Sequence, residues 1–511
     1  MSAWAEAAVT TGDTLEGVEE LLEDHSVAVK SIIVAHTDDE SFIGKTVNAT
    51  YRWLVYSGVI DESGDVRIDV PWVGTYALQV ANDDGDILKG YCQVESIGGI
   101  YDGSLTGDVL FAFHYTELDS APDTANYPAG YANSNWNDPA YMDFAKDEWH
   151  WGDWDPNGDH KELLKWFYPK SCMLNFNGTV DYYLDEDDET KKADGTASGV
   201  ANVNGSNNAM MEWGQDGKKI YWKIVPDGDG LGFTYVVGNY QADEDMVAWN
   251  HYDANGNLAD HFYIAKYNGG LDGNNRLRSI SGLSILVSTT RNNEVTYARA
   301  NNQTSAVIWD TEVYADWLFE GLCTCLITKS LDSQGKVGTG NCSTSAAIQP
   351  GSLNGKGMFY GKNNNSTGVK AFGKEHPWGN IWRGIRGLIN SNGTYLVKLT
   401  HGRQDGSTAT DYNFDGTGYI SAGSVPTASA SYISSMRITS KYLLPDVVSG
   451  SASTYYTDAF WSNNSQVDYA LVGGPWTYGA HCGVFCLNVD HLASNARTTI
   501  GASLSCKPLA A

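Results

Sequence analysis

The stretch VDYALVGGPWTYGAHCGVFCLNVDHLASNARTTIGASLSCKP, residues 467–508, decides how the chain is read. Gly473 and Gly474 permit a tight backbone approach beside Trp476, and Gly479 and Gly483 mark further bends. Between Gly483 and Asp490 the residues alternate as they do in a strand. Phe485, Leu487 and Val489 fall on one side, and Val484, Cys486, Asn488 and Asp490 on the other. The first set is a core face. The second mixes size, charge and polarity as no buried face needs, so it is expected to meet solvent. Upstream, FGKEHPWGNIWRGIRGLI (Phe372–Ile389) sets Trp378 and Trp382 around Gly379-Asn380 and leads into an apolar strand.

Working outward, residues 311–329 (TEVYADWLFEGLCTCLITK) carry apolar positions at helical spacing and predict the strongest helix of the chain. Between Phe167 and Asn268 the pattern is β-rich, and Asp253–Asn257 (DANGN) reads as a hairpin turn. Residues 99–165 are aromatic and irregular, and they read as a connector. From 28 to 98, the runs SIIVAHT, TVNATYRWLVY, VRIDVPWV, TYALQVA and LKGYCQVES alternate with turn clusters, the pattern of a small β-sandwich. Its GDVRIDVPWVGTYALQV segment resembles immunoglobulin-like and carboxypeptidase-regulatory-like modules. Residues 13–24 predict one short helix within an N-terminal attachment arm, 1–27.

Composition excludes several classes. The 33 basic and 62 acidic residues give a net charge of −29, which disfavours nucleic acid as a partner. The deficit lies in residues 1–370, whereas 371–511 carry 9 basic and 8 acidic groups and are nearly neutral. The 30 Tyr and 17 Trp outnumber 14 Phe, a bias toward rings with a polar handle that suits recognition surfaces. No apolar run is long enough to cross a membrane as a helix, so no membrane insertion is expected. Eight cysteines and an acidic N-terminus without a secretion signal imply synthesis in a reducing cytoplasm.

Catalytic and metal motifs are incomplete. GDWDPNGDHKE places Asp153, Asp155, Asn157 and Gly158 as in a calcium loop, but Leu164 stands where the bidentate Glu belongs. Cys323 and Cys325, about 200° apart on a helix, cannot share an ion. His481, Cys482, Cys486 and His491 match no zinc spacing. No nucleophile elbow, phosphate loop or HExxH is present. The expectation is a non-enzyme with no metal and no cofactor.

The elements Gly379-Asn380-Ile381-Trp382, Gly473-Gly474-Pro475-Trp476 and Ile500-Gly501-Ala502 resemble those of the C-type-lectin fold. That fold is used by formylglycine-generating enzymes and by the variable proteins of diversity-generating retroelements, which include phage major tropism determinants. Residues 172–198 and 208–230 also look like tail proteins of gut-bacterial phages. The resemblance implies a mainly β chain with an α+β C-terminal part: an immunoglobulin-like sandwich, then a large C-type-lectin-like domain with insertions, 166–511. Its core would be 306–511 and its variable segment about 467–505. Val472 replaces the leading Arg of the enzyme-branch signature, and Cys482 and Cys486 do not map onto the enzymatic cysteine pair, so the non-catalytic branch is favoured. The implied ligand-binding residues are Thr477, Tyr478, His481, Val484, Cys486, Asn488, Asp490, His491, Asn495, Arg497 and Thr499. The function implied is a virion receptor-binding protein of the phage tail. Its partners would be a host cell-surface receptor (protein or glycan), other virion proteins and copies of itself, with a trimer favoured. Rival readings are a formylglycine-type oxidase, a capsule depolymerase or a bacterial surface adhesin.

Overall fold

The computed structural model describes residues 30–37, 40–51, 54–81, 83, 87–103 and 108–509; the short helix expected at 13–24 lies outside them. The chain is mainly β and divides into two compact units, with the break between Asp108 and Val109.

The first unit is a β-sandwich. One sheet pairs Asp65–Val70, Ser31–His36 and Ile100–Gly103; the other pairs Leu54–Val59, Thr46–Tyr51, Gly74–Ala81 and Ile87–Val94. Alternating residues from both, among them Ile33, Val47, Ile68, Tyr76 and Val94, form a single core. Two details differ from the sequence reading. TVNATYRWLVY is not one run but a hairpin, with Tyr51 opposite Leu54. The sandwich also extends past residue 98, because Ile100–Gly103 runs parallel to Ser31–His36 as an edge strand.

The second unit begins at Val109, so the aromatic stretch is not a connector. Leu110–Thr116 is a strand of a three-stranded sheet with Gly232–Gly238 and Tyr221–Pro226. Phe111 on that strand stacks on Trp166 at 5.6 Å and meets Trp154 edge-on at 5.2 Å. Trp154 Nε1 donates to the Tyr127 hydroxyl at 2.9 Å, which donates in turn to the Leu326 carbonyl at 2.8 Å. The aromatic residues are therefore the packing between this sheet and the central helix, Tyr314–Thr328.

Nor are residues 166–305 insertions around a core at 306–511. The six-stranded antiparallel sheet runs Val180–Tyr183, Lys170–Asn175, Asn207–Trp213, Phe262–Ala265, Leu504–Pro508, Val307–Thr311, interleaving early and late segments. The DANGN turn forms as read, with Asp253 N–H donating to the Asn257 carbonyl at 2.9 Å and Gly256 at φ +80. A single bridge, Tyr252 to Leu258, flanks it, because the residues before it take a 3-10 turn at Trp249–His251.

The helix observed at Tyr314–Thr328 is buried on all sides rather than amphipathic. Its polar groups are met inside the protein. Asp316 accepts from Lys507 Nζ at 2.7 Å, Asn250 Nδ2 at 2.8 Å and Ser505 Oγ at 2.8 Å. Lys374 Nζ bridges Glu312 at 2.6 Å and Glu320 at 2.7 Å, and Arg383 Nε reaches Glu312 at 2.8 Å. Val484 packs at 3.6 Å from the position a side chain on Gly321 of this helix would take.

The quoted C-terminal stretch belongs to a second large sheet. Its path is Ile420–Ser424, Thr394–Val397, Trp382–Ser391, Val467–Val472, Leu487–His491, Ala459–Ser462, Ser431–Tyr432, with Ile500–Gly501 added parallel to Trp382 and Arg383. Asn380 is the knot of this region. Its Oδ1 accepts from Ile348 N–H at 2.7 Å, its Nδ2 donates to Asn268 at 3.0 Å, and its carbonyl accepts from Trp476 N–H at 3.1 Å. It is held at φ +143, a strain this fully buried network over-determines. That is the physical content of the Gly-Asn-x-Trp element.

Candidate functional site

Leu487–His491 lies between Val467–Val472 and Ala459–Ser462, an interior position in its sheet. Both of its faces are covered, so the expected solvent face is not one. Val484, Cys486 and Asn488 are 5%, 0% and 2% exposed. Val484 faces the central helix. Cys486 joins Trp382, Trp461, Tyr469, Leu471 and Ile500 in an apolar cluster. Asn488 Oδ1 accepts from Asp490 N–H at 3.0 Å, closing the strand end. Strict alternation identified a strand but could not show that a second layer covers its other side.

The layer on the Cys486 side is aromatic, and its outer part meets solvent. Trp461 stands edge-on to Trp382 at 5.4 Å. Tyr478, 37% exposed, stacks on Trp461 at 5.2 Å with 23° between the planes and meets Trp382 edge-on at 5.8 Å. His481, half-buried, lies 5.7 Å from Trp461 and 5.0 Å from Tyr432. Tyr478 and His481 reach this position from the short turn Gly479–His481, which Gly473 and Gly474 make room for. A side chain on Gly473 would fall 2.8 Å from the Pro377 carbonyl, and one on Gly474 would fall 2.5 Å from Cys482 Sγ. Trp476 itself is only half-buried.

A polar group sits within electrostatic reach of these rings. Asp490 and His491, both half-buried, pair through Oδ1 and Nδ1, and Arg497, exposed, acts on both Asp490 and Tyr478. Burial works against ionisation of Asp490, but His491 and Asn488 hold its carboxyl below the usual range. Burial lowers His481, which is therefore neutral at pH 7, and it raises the Tyr478 hydroxyl. Asp468 on the neighbouring strand is fully buried, with Oδ2 unpartnered and Oδ1 accepting from Gln466 Nε2 at 2.6 Å. Burial, with the charge of Asp490 adding to it, pushes Asp468 up to about 6.

The remaining residues read as binding are placed at the rim. Thr477 is exposed, and Asn495 and Thr499 are half-buried. The carbonyls of Arg497 and Thr499 serve the fold: they accept from Ser288 N–H at 2.9 Å and Trp382 N–H at 2.8 Å. Any side chain can supply those carbonyls. Trp461, Tyr432, Asp468 and Gln466 were missed, since nothing in their local sequence ties them to the Tyr478 turn across the sheet.

No group of three or more His, Cys, Asp or Glu among the described residues is arranged to hold a metal ion. In the sequence motif resembling a calcium loop, Asp153 Oδ2 accepts from Asn137 N–H at 2.7 Å and Asp138 N–H at 2.9 Å, so that carboxylate ties two segments of the chain together. Behind Val484 lies a narrow cleft bounded by Trp317, Glu320, Phe372, Trp378 and Arg383. Its free space of about 20 Å³ suits a water rather than a substrate. Burial, against the pull of Lys374, pushes Glu320 there up to about 7.

No family model matches this chain, and no curated protein matches it. Among solved structures it is loosely similar to one described as Major Tropism Determinant P3c Variant. The two share 12% identity over 89% of this chain and 93% of the other, with a TM-score of 0.22. So loose a likeness transfers neither a fold nor a site residue.

Proposed function

We propose that this chain is a receptor-binding protein of a phage tail. In this reading its second unit is a C-type-lectin-like domain that presents the surface around Tyr478 and His481 to a ligand on the host cell. The observation that carries the reading is the half-exposed Tyr478 ring, already stacked on Trp461 and backed by an eight-stranded sheet. A ring ordered before contact loses little freedom on binding, and Tyr offers both apolar area and a hydroxyl. Asp490, His491 and Arg497 add charged and hydrogen-bonding groups of both signs at its edge. The site acts by complementarity without turnover and needs no cofactor. Several copies on one particle raise modest affinities by avidity.

On the same reading, a retroelement would diversify positions whose side chains lie outside the core. Thr477, Tyr478, His481, Asn495, Arg497 and Thr499 can vary, because their side chains are wholly or partly outside the core. Val484, Cys486 and Asn488 are packed, so few residue types fit there.

The test replaces Thr477, Tyr478, His481 and Arg497 together by Ala in the full chain. Binding of the labelled protein to a panel of intact bacteria is then measured on variants shown to be folded by tryptophan fluorescence. Loss of at least about tenfold in binding to the strain the parent recognises is expected, in keeping with an aromatic and an Arg anchor. Unchanged binding by the folded variant would overturn the assignment of this face. Turnover of capsular glycan or of a Cys-containing peptide would overturn the non-catalytic reading.

A further inference from the structure

The turn that presents Tyr478 and His481 is held from beneath by a second loop, distant in the chain. Gly479 N–H donates to the Cys342 carbonyl at 2.7 Å, and Thr344 N–H donates to the Trp476 carbonyl at 2.8 Å. Gln334 Nε2 donates to the Gly479 carbonyl at 3.2 Å and lies 4.0 Å from Cys342 Sγ. Cys342 packs on Gly379 and Cys482 on Gly474, and Gly379 N–H donates to the Gly473 carbonyl at 3.0 Å. The two cysteines are thus carried on neighbouring segments and act on each other's thiols; Cys342 Sγ also donates to Asn365 Oδ1 at 3.4 Å and Cys482 Sγ to the Pro475 carbonyl at 3.6 Å. Both are fully buried and neither is in a disulfide.

We infer that Cys342 and Cys482 are a latent disulfide, closed by a low-molecular-weight disulfide outside the reducing cytoplasm, which staples the Tyr478–His481 turn to the loop beneath it. The contact with Cys482 holds the Cys342 thiol below its ordinary range, whereas burial pushes Cys482 up, so Cys342 ionises first. When the Gly479–His481 turn lifts and exposes it, the Cys342 thiolate attacks one sulfur of the small disulfide, expelling one thiol and forming a mixed disulfide. The Cys482 sulfur then displaces the second thiol. Two S–H bonds break and one S–S bond forms in the protein; the small disulfide takes up both electrons and both protons. The staple rests on the pairing of the segments that carry the two cysteines. Its consequence, a receptor face fixed before contact, rests on the function proposed above.

The full chain is incubated with oxidised glutathione or with dithiothreitol, blocked with N-ethylmaleimide in denaturant, digested and analysed by mass spectrometry. The oxidised sample should yield linked peptides containing Cys342 and Cys482, and its melting temperature should rise by about 4 °C. Neither change should appear in Cys342→Ser; Cys482→Ala gives the same reading from the other side should that variant fold poorly. Complete alkylation of both cysteines after oxidation, or linkage of either to another cysteine, would overturn the assignment. On intact cells, the linked protein should dissociate several-fold more slowly than the reduced one; equal rates would overturn the preorganising role. Linkage and melting need no receptor, so failure of both forms to bind cells would count against the receptor reading and not against the staple.

Discussion

Replacing His251 by Gln isolates one buried proton site. His251 is fully buried in the second unit. Its Nε2 accepts from Ile220 N–H at 2.9 Å and its Nδ1 donates to the Ala259 carbonyl at 2.9 Å, so both nitrogens are used by the neutral ring. Burial pushes its pKa down to about 3, with Lys507 and Lys219 adding to the effect against the Ala259 hydrogen bond. An unfolded His titrates near 6.5. Below that pH the unfolded chain takes up a proton that the folded chain refuses, so stability is lost as pH falls from about 6.5 toward 3. Between pH 7.5 and pH 5 this site alone costs about 2 kcal/mol, a large share of the roughly 5–15 kcal/mol that holds a domain together. Gln also offers one acceptor and one donor but does not titrate. Urea unfolding of parent and His251→Gln, followed by tryptophan fluorescence at both pH values, gives the stability gap between them. The variant should gain about 2 kcal/mol on the parent at pH 5 relative to pH 7.5. A gap that stays the same at both pH values would refute the claim that this ring is neutral and locked in the fold.

Asp468→Asn should act in the opposite window. The folded pKa of about 6 is raised, so stability falls as pH rises from the unfolded value near 3.9, and the variant should be about 2 kcal/mol more stable than the parent at pH 7.5 but not at pH 4. Trp382→Ala should cost about 3–5 kcal/mol and Trp476→Ala less than half of that, since only Trp382 is fully packed; chemical denaturation of the two variants side by side checks the order. Phe485→Asp should abolish folding of the second unit, because Phe485 packs on Tyr456 at 5.3 Å and leaves a buried charge no partner; soluble yield and near-UV circular dichroism read this directly. Removal of residues 1–108 should leave 109–511 with a cooperative melt, as the division at Asp108 implies; loss of that melt would contradict it.

Much of the architecture was legible because it is written in local chemistry. The alternating runs and turn clusters of residues 31–96 specify strands directly, and their two sheets share the core that such alternation demands. The Gly-Asn-x-Trp element was legible as important, and its reason is visible in the hydrogen bonds of Asn380. What could not be read was long-range coverage. The helix at Tyr314–Thr328 looks amphipathic until Lys374 and Lys507, from distant segments, are seen to neutralise Glu312, Glu320 and Asp316. Tyr101 belongs to the first unit although the sandwich pattern ends earlier, because an edge strand of four residues carries too little periodicity to announce itself. At the candidate site the turn bearing Tyr478 and His481 was identified from its glycines. Its aromatic floor, Trp461 and Tyr432, comes from strands whose neighbours in the sheet are not their neighbours in sequence.

The strand Leu504–Pro508 sits between Phe262–Ala265 and Val307–Thr311, and it carries the Lys507 that neutralises Asp316 inside the central helix. During synthesis, therefore, the six-stranded sheet stays split until residues 504–508 emerge from the ribosome. Until then two rows of backbone donors and acceptors are open, and an acidic side chain waits without its counter-charge. Assembly of the second unit therefore waits for its last strand and is dominated by pairings between distant residues, which makes it slow. A chain cut before residue 504 would lack the strand that joins the two halves of this layer, and its central sheet could not close.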